Sequence, residues 1–269
     1  METEVKILKF KQNRYHILSG NAIKIIGILL MVMDHLHQMF ISQGAPYWFN
    51  WFGRPVAAMF LFLCAEGFYF TRDRRIYMIR LLAGFFLMSI MNRVFNRYMP
   101  LEEVTLINNI FSTLFVAAFY MGLFDLVKKG ITEKKAGKVF LAIGVFLLSL
   151  LIGLALLIAL TKENVTAAAV LLFIPNPISA EGGFPLILLG LLFYILRKYR
   201  LAQAALVLAF GLLSWLTTHS AQWLMVFAVI PILLYNGQRG RGSKYFFYIF
   251  YPAHIYIFYV IAWFLGQAS

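Results

Sequence analysis

The 269-residue sequence holds a single cysteine, Cys64, which excludes an internal disulfide and a thiolate metal cluster. Charge is scarce as well: Asp, Glu, Lys and Arg make up 13% of the chain, hydrophobic residues 62%, and the mean hydropathy is +0.79. That balance excludes a soluble globular domain. Acidic residues are rarest, 11 against 24 Lys and Arg. No GxSxG elbow of a serine hydrolase is present. The one glycine-rich basic stretch, Asn236 to Lys244 (NGQRGRGSK), lacks the spacing of a nucleotide-binding loop. Repeats, low-complexity tracts and a soluble domain are also missing. The first apolar span begins too far in, and lacks the small-residue cleavage site, for a removable signal peptide.

What the chain has in abundance is long apolar spans punctuated by basic loops. The fold class expected is all-α: a polytopic integral membrane helical bundle of about 9 transmembrane helices plus a broken or re-entrant element. Residues 1–20 are expected to form a cytoplasmic interfacial N-terminal segment and residues 21–269 a single transmembrane domain. With the N-terminus in the cytoplasm, alternation through the spans puts eighteen of the 24 Lys and Arg on the inner side, as the positive-inside rule asks. A formal net charge of +13 therefore reads as attraction to anionic lipid, not to nucleic acid.

The helices are expected at about 21–41, 52–70, 76–95, 106–127, 139–160, 201–216, 221–235 and 245–265. The stretch 161–184 is interrupted by Pro175, Pro177, Gly182 and Gly183 and reads as broken, with 185–194 returning the chain inward. Trp48 and Trp51 suit an interfacial belt. Asn108 and Asn109 stand where they can cap the fourth helix, and Glu181 sits at the break. His219 reads as a loop residue.

The chemistry-bearing stretch is NAIKIIGILLMVMDHLHQMFI, residues 21–41. Titratable groups inside a membrane helix are costly and usually functional. At about 100° per residue, the eleven positions from Lys24 to His35 turn through about 1100° and return to one face. Ile28 and Met31 lie on that stripe between them. Burial favours a neutral His35 ring and the adjacent Asp34 favours imidazolium, so the pair suits a general base or a nucleophilic acyl carrier. In the last helix, Tyr251-Pro252-Ala253-His254 supplies a second buried histidine, with Pro252 freeing a backbone carbonyl. The Arg72, Arg74 and Arg75 cluster offers charge-assisted donors for phosphate at the inner side. Lys24 and Glu66 belong to the inner half of the bundle, able to pair or to line a tunnel. No metal is expected: His35 and His37 are about 200° apart on a helix, and His35 with His254 lacks a third ligand. On residues alone, a membrane enzyme and a proton-coupled transporter using Asp34, His35, Glu66 and His254 stay level, with an assembly factor behind them.

Four blocks resemble the TraX family of membrane acetyltransferases: NAIKIIGILLMVMDHL, FGRPVAAMFLFLCAEGFYFTRDRRIYMIRLL, LLYNGQRG and SKYFFYIFYPAHIY. The family is known for acetylating the N-terminal amine of a conjugative pilin, within a wider group that draws acyl-CoA from the cytoplasm. The resemblance implies a multi-pass cell-membrane protein with acetyl-CoA as acyl donor and an exported peptide, pilin or envelope molecule as acceptor. It implies His35 as base or acyl carrier, Asp34 as its orienting or acceptor-binding partner, and Arg72, Arg74 and Arg75 on the coenzyme A phosphates. Lys24, Arg54 and Glu66 follow as donor-side residues; His254, Tyr251 and Asn109 as substrate-side or supporting ones. Lys24 stands where relatives more often have arginine, keeping the charge and losing the bidentate fork.

Overall fold

The computed structural model describes residues 16–242 and 245–268, and all regular structure among them is helical. The expected interfacial segment 1–20 thus lies almost wholly outside the described residues. In chain order the helices are α1 (Gly20–Met39), α2 (Phe49–Gly53), α3 (Val56–Phe70), α4 (Arg74–Tyr98), α5 (Ile110–Thr132), α6 (Ala136–Thr161), α7 (Val165–Leu171), α8 (Gly183–Ile195), α9 (Arg200–Thr218), α10 (Val229–Leu233) and α11 (Phe246–Ala268). A 3-10 segment, Ala221–Ala228, precedes α10.

Six of these, α1, α4, α5, α6, α9 and α11, are long and apolar enough to cross a membrane. The chain is a multi-pass membrane protein. The difference from the nine expected spans lies in three shorter apolar runs. At about 1.5 Å per residue, the 13-residue α8 reaches roughly 20 Å, short of a hydrocarbon core of about 30 Å. The run expected as one helix over 221–235 divides instead into eight 3-10 residues and five α residues. Pro231 cannot donate to the ladder, and the narrow 3-10 coil fits against α9 at Gly211, where an added Cβ would stand 2.4 Å from Val226. The third run is the pair α2 and α3, separated at Arg54-Pro55.

Elsewhere the ends move for readable reasons. α5 starts at Ile110, later than expected, because Asn109 caps it by accepting from Ser112 N at 3.4 Å. The residues before it are pinned by Asn96, whose side chain both donates to Leu106 O and accepts from Leu106 N. The broken element is present: α7 is one short helix, Asn176 organises the turn after it, and Gly182 and Gly183 take positive φ before α8. His219 is exposed in the left-handed cap of α9. α6 buries few residues and serves as scaffold.

Glycines set how closely α1 approaches the run formed by α2 and α3. An added Cβ would lie 2.3 Å from the Asp34 carboxylate at Gly53, 2.9 Å from Phe60 at Gly27 and 3.6 Å from Leu63 at Gly20. These contacts run in opposite sequence order, so α1 is antiparallel to the run from α2 through α3. On its other side α1 meets α11 from Lys24 at Phe247 to His35 at His254.

Candidate functional site

The face of α1 predicted from helical arithmetic is the wall of a cavity. Lys24, Ile28, Met31, Asp34 and His35 all line a partly open cavity of about 180 Å³. The opposite walls come from Phe60, Cys64 and Gly67 of α3, Tyr77 and Leu81 of α4, Phe111 and Leu114 of α5, and Phe247, Tyr248, Phe250 and Tyr251 of α11. Most of this lining is apolar. Polar groups concentrate at the ends: Lys24 and Tyr77 at one, Asp34, His35 and Glu181 at the other. Lys24 and His35 are roughly 16 Å apart along the axis at about 1.5 Å per residue.

His35 is 4% exposed and His254 5%. Their rings stack with centroids 4.9 Å apart, and His35 Nδ1 lies 2.7 Å from His254 Nε2. His254 Nδ1 lies 2.8 Å from the carbonyl oxygen of Phe250, which can only accept. With both rings neutral, this fixes the protons: His254 carries its hydrogen on Nδ1, accepts at Nε2 from the Nδ1–H of His35, and leaves a lone pair on His35 Nε2. The amide of Asn108 stands 3.5 Å from that nitrogen and is itself held by Gln38 at 3.0 Å. Nitrogen-to-nitrogen contact at 2.7 Å leaves no room for an ion between the rings, since each zinc–nitrogen bond needs about 2 Å. The carbonyl used is the i−4 partner of His254 itself, not Tyr248, the one that Pro252 leaves unpaired.

Asp34 does not touch the His35 ring. Its carboxylate rests on Gly53 and takes Arg54 Nη2 at 3.5 Å. Arg54 also donates to Gln222 Oε1 at 3.2 Å and to Asn50 O at 3.1 Å, tying α1, α2 and the 3-10 segment together. Glu181, from the broken element, is exposed and lines the cavity. Its Oε2 accepts from Asn109 N at 2.9 Å and from the Tyr251 hydroxyl at 3.5 Å. The Asn109 side chain donates to Phe85 O and Ser89 Oγ, each at 3.1 Å. The Tyr251 ring stands edge-on to His35, with centroids 6.4 Å apart.

The inner residues divide differently from the sequence expectation. Arg74 is bound to Asp125 and to the Tyr194 hydroxyl, and Arg72 and Arg75 are exposed outside the cavity. Glu66 pairs with Arg200 at 3.7 Å, away from Lys24. Lys24 instead lies over the Phe247 ring at 4.9 Å. Cys64 lines the cavity and receives the Tyr77 hydroxyl at 3.3 Å. Sequence reasoning missed Asn108 and Gln38 as supports of the histidine, treated Glu181 as a position at a break, and passed over the 236–242 loop. That loop packs on α1, with Gly20 N donating to Gln238 O at 2.8 Å and Asn21 N to Arg239 O at 2.9 Å. The glycines of NGQRGRG were the available signal: a Cβ on Gly240 would stand 2.3 Å from Ser19 Oγ.

Fold and cavity together define a multi-pass membrane protein with a buried histidine pair at one end of a partly open cavity. A family model described as "TraX protein" matches residues 19–262. The chain belongs to the TraX family. It is also 26% identical over 265 residues to a probable fimbrial assembly protein, FimC of serogroup H1, from Dichelobacter nodosus, covering 88% of this chain and 93% of the relative. No solved structure matches.

Proposed function

We propose that this protein is a membrane acyltransferase that moves an acetyl group from cytoplasmic acetyl-CoA to an amine or hydroxyl of an exported or envelope substrate such as a pilin or peptide N-terminus. The observation that carries the reading is the His35–His254 pair, held with a lone pair on His35 Nε2, at one end of a cavity whose other end holds a cation. The apolar walls between suit the uncharged arm of a thioester, and the family membership supports the same chemistry.

In the transfer step the acceptor nitrogen or oxygen attacks the thioester carbonyl carbon while His35 Nε2 takes its proton. The new bond to carbon forms as the carbon–sulfur bond breaks, and the proton on His35 passes to the departing thiolate. Products are the acetylated acceptor and free coenzyme A. His254 holds His35 in the required tautomer and shares the positive charge that develops. Asp34 and Glu181 flank the acceptor end. Three shorter apolar runs, α2 with α3, α8, and the 3-10 segment with α10, complete nine passages, with the N-terminus and most basic loops cytoplasmic.

The test uses purified protein in nanodiscs with acetyl-CoA and a peptide bearing a free N-terminal amine. Thiol release with acetylated peptide is expected, and His35→Ala should abolish transfer while coenzyme binding persists. Proton-coupled uptake with no coenzyme binding would replace this reading by a carrier. An assembly phenotype untouched by His35→Ala would replace it by a non-catalytic role.

A further inference from the structure

We propose that the phosphate groups of the acyl donor are held at the inner mouth of the cavity by Lys24, Arg80 and Arg239, not by the arginine cluster after α3. This rests on the acyltransferase reading and assigns its donor-anchoring residues.

Three observations converge on that mouth. The first is a difference in pairing. Among the described residues, Arg54, Arg74 and Arg200 are each bonded to a carboxylate, of Asp34, Asp125 and Glu66 in turn. Lys24, Arg80 and Arg239 have no acidic partner among the described residues, and neither have Arg72 and Arg75, so pairing separates this group from Arg74 only. Lys24 rests on Phe247 in the first turn of α11 at 4.9 Å, and Arg80 on Tyr245, just before that helix, at 5.7 Å. Of the three only Lys24 lines the cavity; Arg239, whose carbonyl takes the Asn21 amide at 2.9 Å, packs on the first turn of the same helix, and the two cations repel each other. A polyanion relieves that repulsion.

The second is the built approach of the loop. Leu18 N donates to Leu234 O, Asn236 N donates to Leu18 O, and the α1 amides of Gly20 and Asn21 donate to the loop carbonyls of Gln238 and Arg239. Ser19 Oγ takes the next amide, Ala22 N, at 3.2 Å. The first-turn donors of α1 are thereby used up, so an anion here is bound by side chains and not by the helix terminus. The loop closes this tightly only because residues 240 and 242 are glycine: a Cβ at Gly242 would stand 2.1 Å from Asn21 Oδ1.

The third is continuity. Lys24 lines the same chamber that ends at His35, so a phosphate held there leaves its attached arm directed along the apolar wall towards the imidazole. Arg72 and Arg75 have no such connection.

An anionic phosphate group on this mouth has two sources, coenzyme A or an anionic phospholipid headgroup, and the experiment separates them. Acetyl-CoA affinity is measured for protein in nanodiscs of zwitterionic lipid, and retained phosphatidylglycerol by native mass spectrometry. Lys24→Gln and Arg239→Gln are each expected to weaken acetyl-CoA binding by about tenfold, as for one lost charge-assisted contact. Lys24→Arg should keep the affinity, and Arg72→Gln with Arg75→Gln should leave it unchanged. Arg239 has an exposed side chain, so its variant tests the idea even if a Lys24 variant misfolds. Unchanged acetyl-CoA affinity in Arg239→Gln and Lys24→Gln, or loss only in the Arg72 and Arg75 variant, overturns the assignment while leaving the enzyme reading intact. Loss of phosphatidylglycerol with unchanged acetyl-CoA affinity marks a lipid site and also overturns it. A wild-type protein that binds no acetyl-CoA removes the enzyme reading itself.

Discussion

His35 and His254 are 219 positions apart in sequence, yet their imidazoles share a hydrogen bond of 2.7 Å. The fold has gone to some length to join them, with α1 and α11 running side by side and the Phe250 carbonyl fixing the outer proton at 2.8 Å. A ring so held carries its lone pair on Nε2, 3.5 Å from the Asn108 amide, and has a neighbour able to share its charge. His254→Ala is expected to lower kcat by about 10²–10⁴, the range for losing acid–base assistance, with acetyl-CoA affinity retained. The pH–rate profile should move as well, because the partner that sets His35's protonation is gone. A variant that loses activity with an unmoved profile would make His254 a packing residue only.

Gly53 carries a second test. An added Cβ there would lie 2.3 Å from the Asp34 carboxylate, so Gly53→Ala must push Asp34 off the face it shares with Arg54. Overpacking of this kind costs about 1–3 kcal/mol. The outcome expected is a raised KM for the acceptor, a lower Tm and an unaltered affinity for acetyl-CoA, read by steady-state kinetics and binding in parallel.

The Glu66–Arg200 pair predicts stability without chemistry. Its side chains are 7% and 14% exposed, and Arg200 is further packed over Phe62 at 4.7 Å. Removing one partner of a buried pair strands the other and costs about 3–5 kcal/mol, while replacing both with apolar residues is often neutral. Arg200→Met should therefore lower Tm more than the double change Glu66→Leu with Arg200→Met. Equal losses in the two proteins would show the pair to be screened by water.

How much of this was legible beforehand follows the range of the interactions. The α1 stripe from Lys24 to His35 needs only the helix period, and the cavity wall is that stripe. The break before α8 was announced by Pro175, Pro177, Gly182 and Gly183. Partner choice was not legible, because it depends on which helices meet: Asp34 was expected on His35 and lies on Arg54, and Arg74 was expected free for phosphate and is bound to Asp125. Helix length misled in one place: Pro231 was the local sign that the run over 221–235 divides, and the 3-10 form of 221–228 also depends on Gly211 packing against it.

Glu181 supplies the last prediction. Its Oε2 is occupied by Asn109 N and the Tyr251 hydroxyl, while the carboxylate faces the cavity beside Asp34 and His35. Two carboxylates against one guanidinium give the acceptor end a negative balance, opposite in sign to the mouth at Lys24. A protonated amine is drawn to such an end before it yields its proton, whereas a neutral hydroxyl gains little. Glu181→Gln keeps the hydrogen-bonding shape and removes the charge. For an amine acceptor the expected result is a KM about tenfold higher, one charge contact's worth, and for a hydroxyl acceptor of the same size no change. Equal effects on both acceptors would reduce Glu181 to a brace for Asn109 and Tyr251.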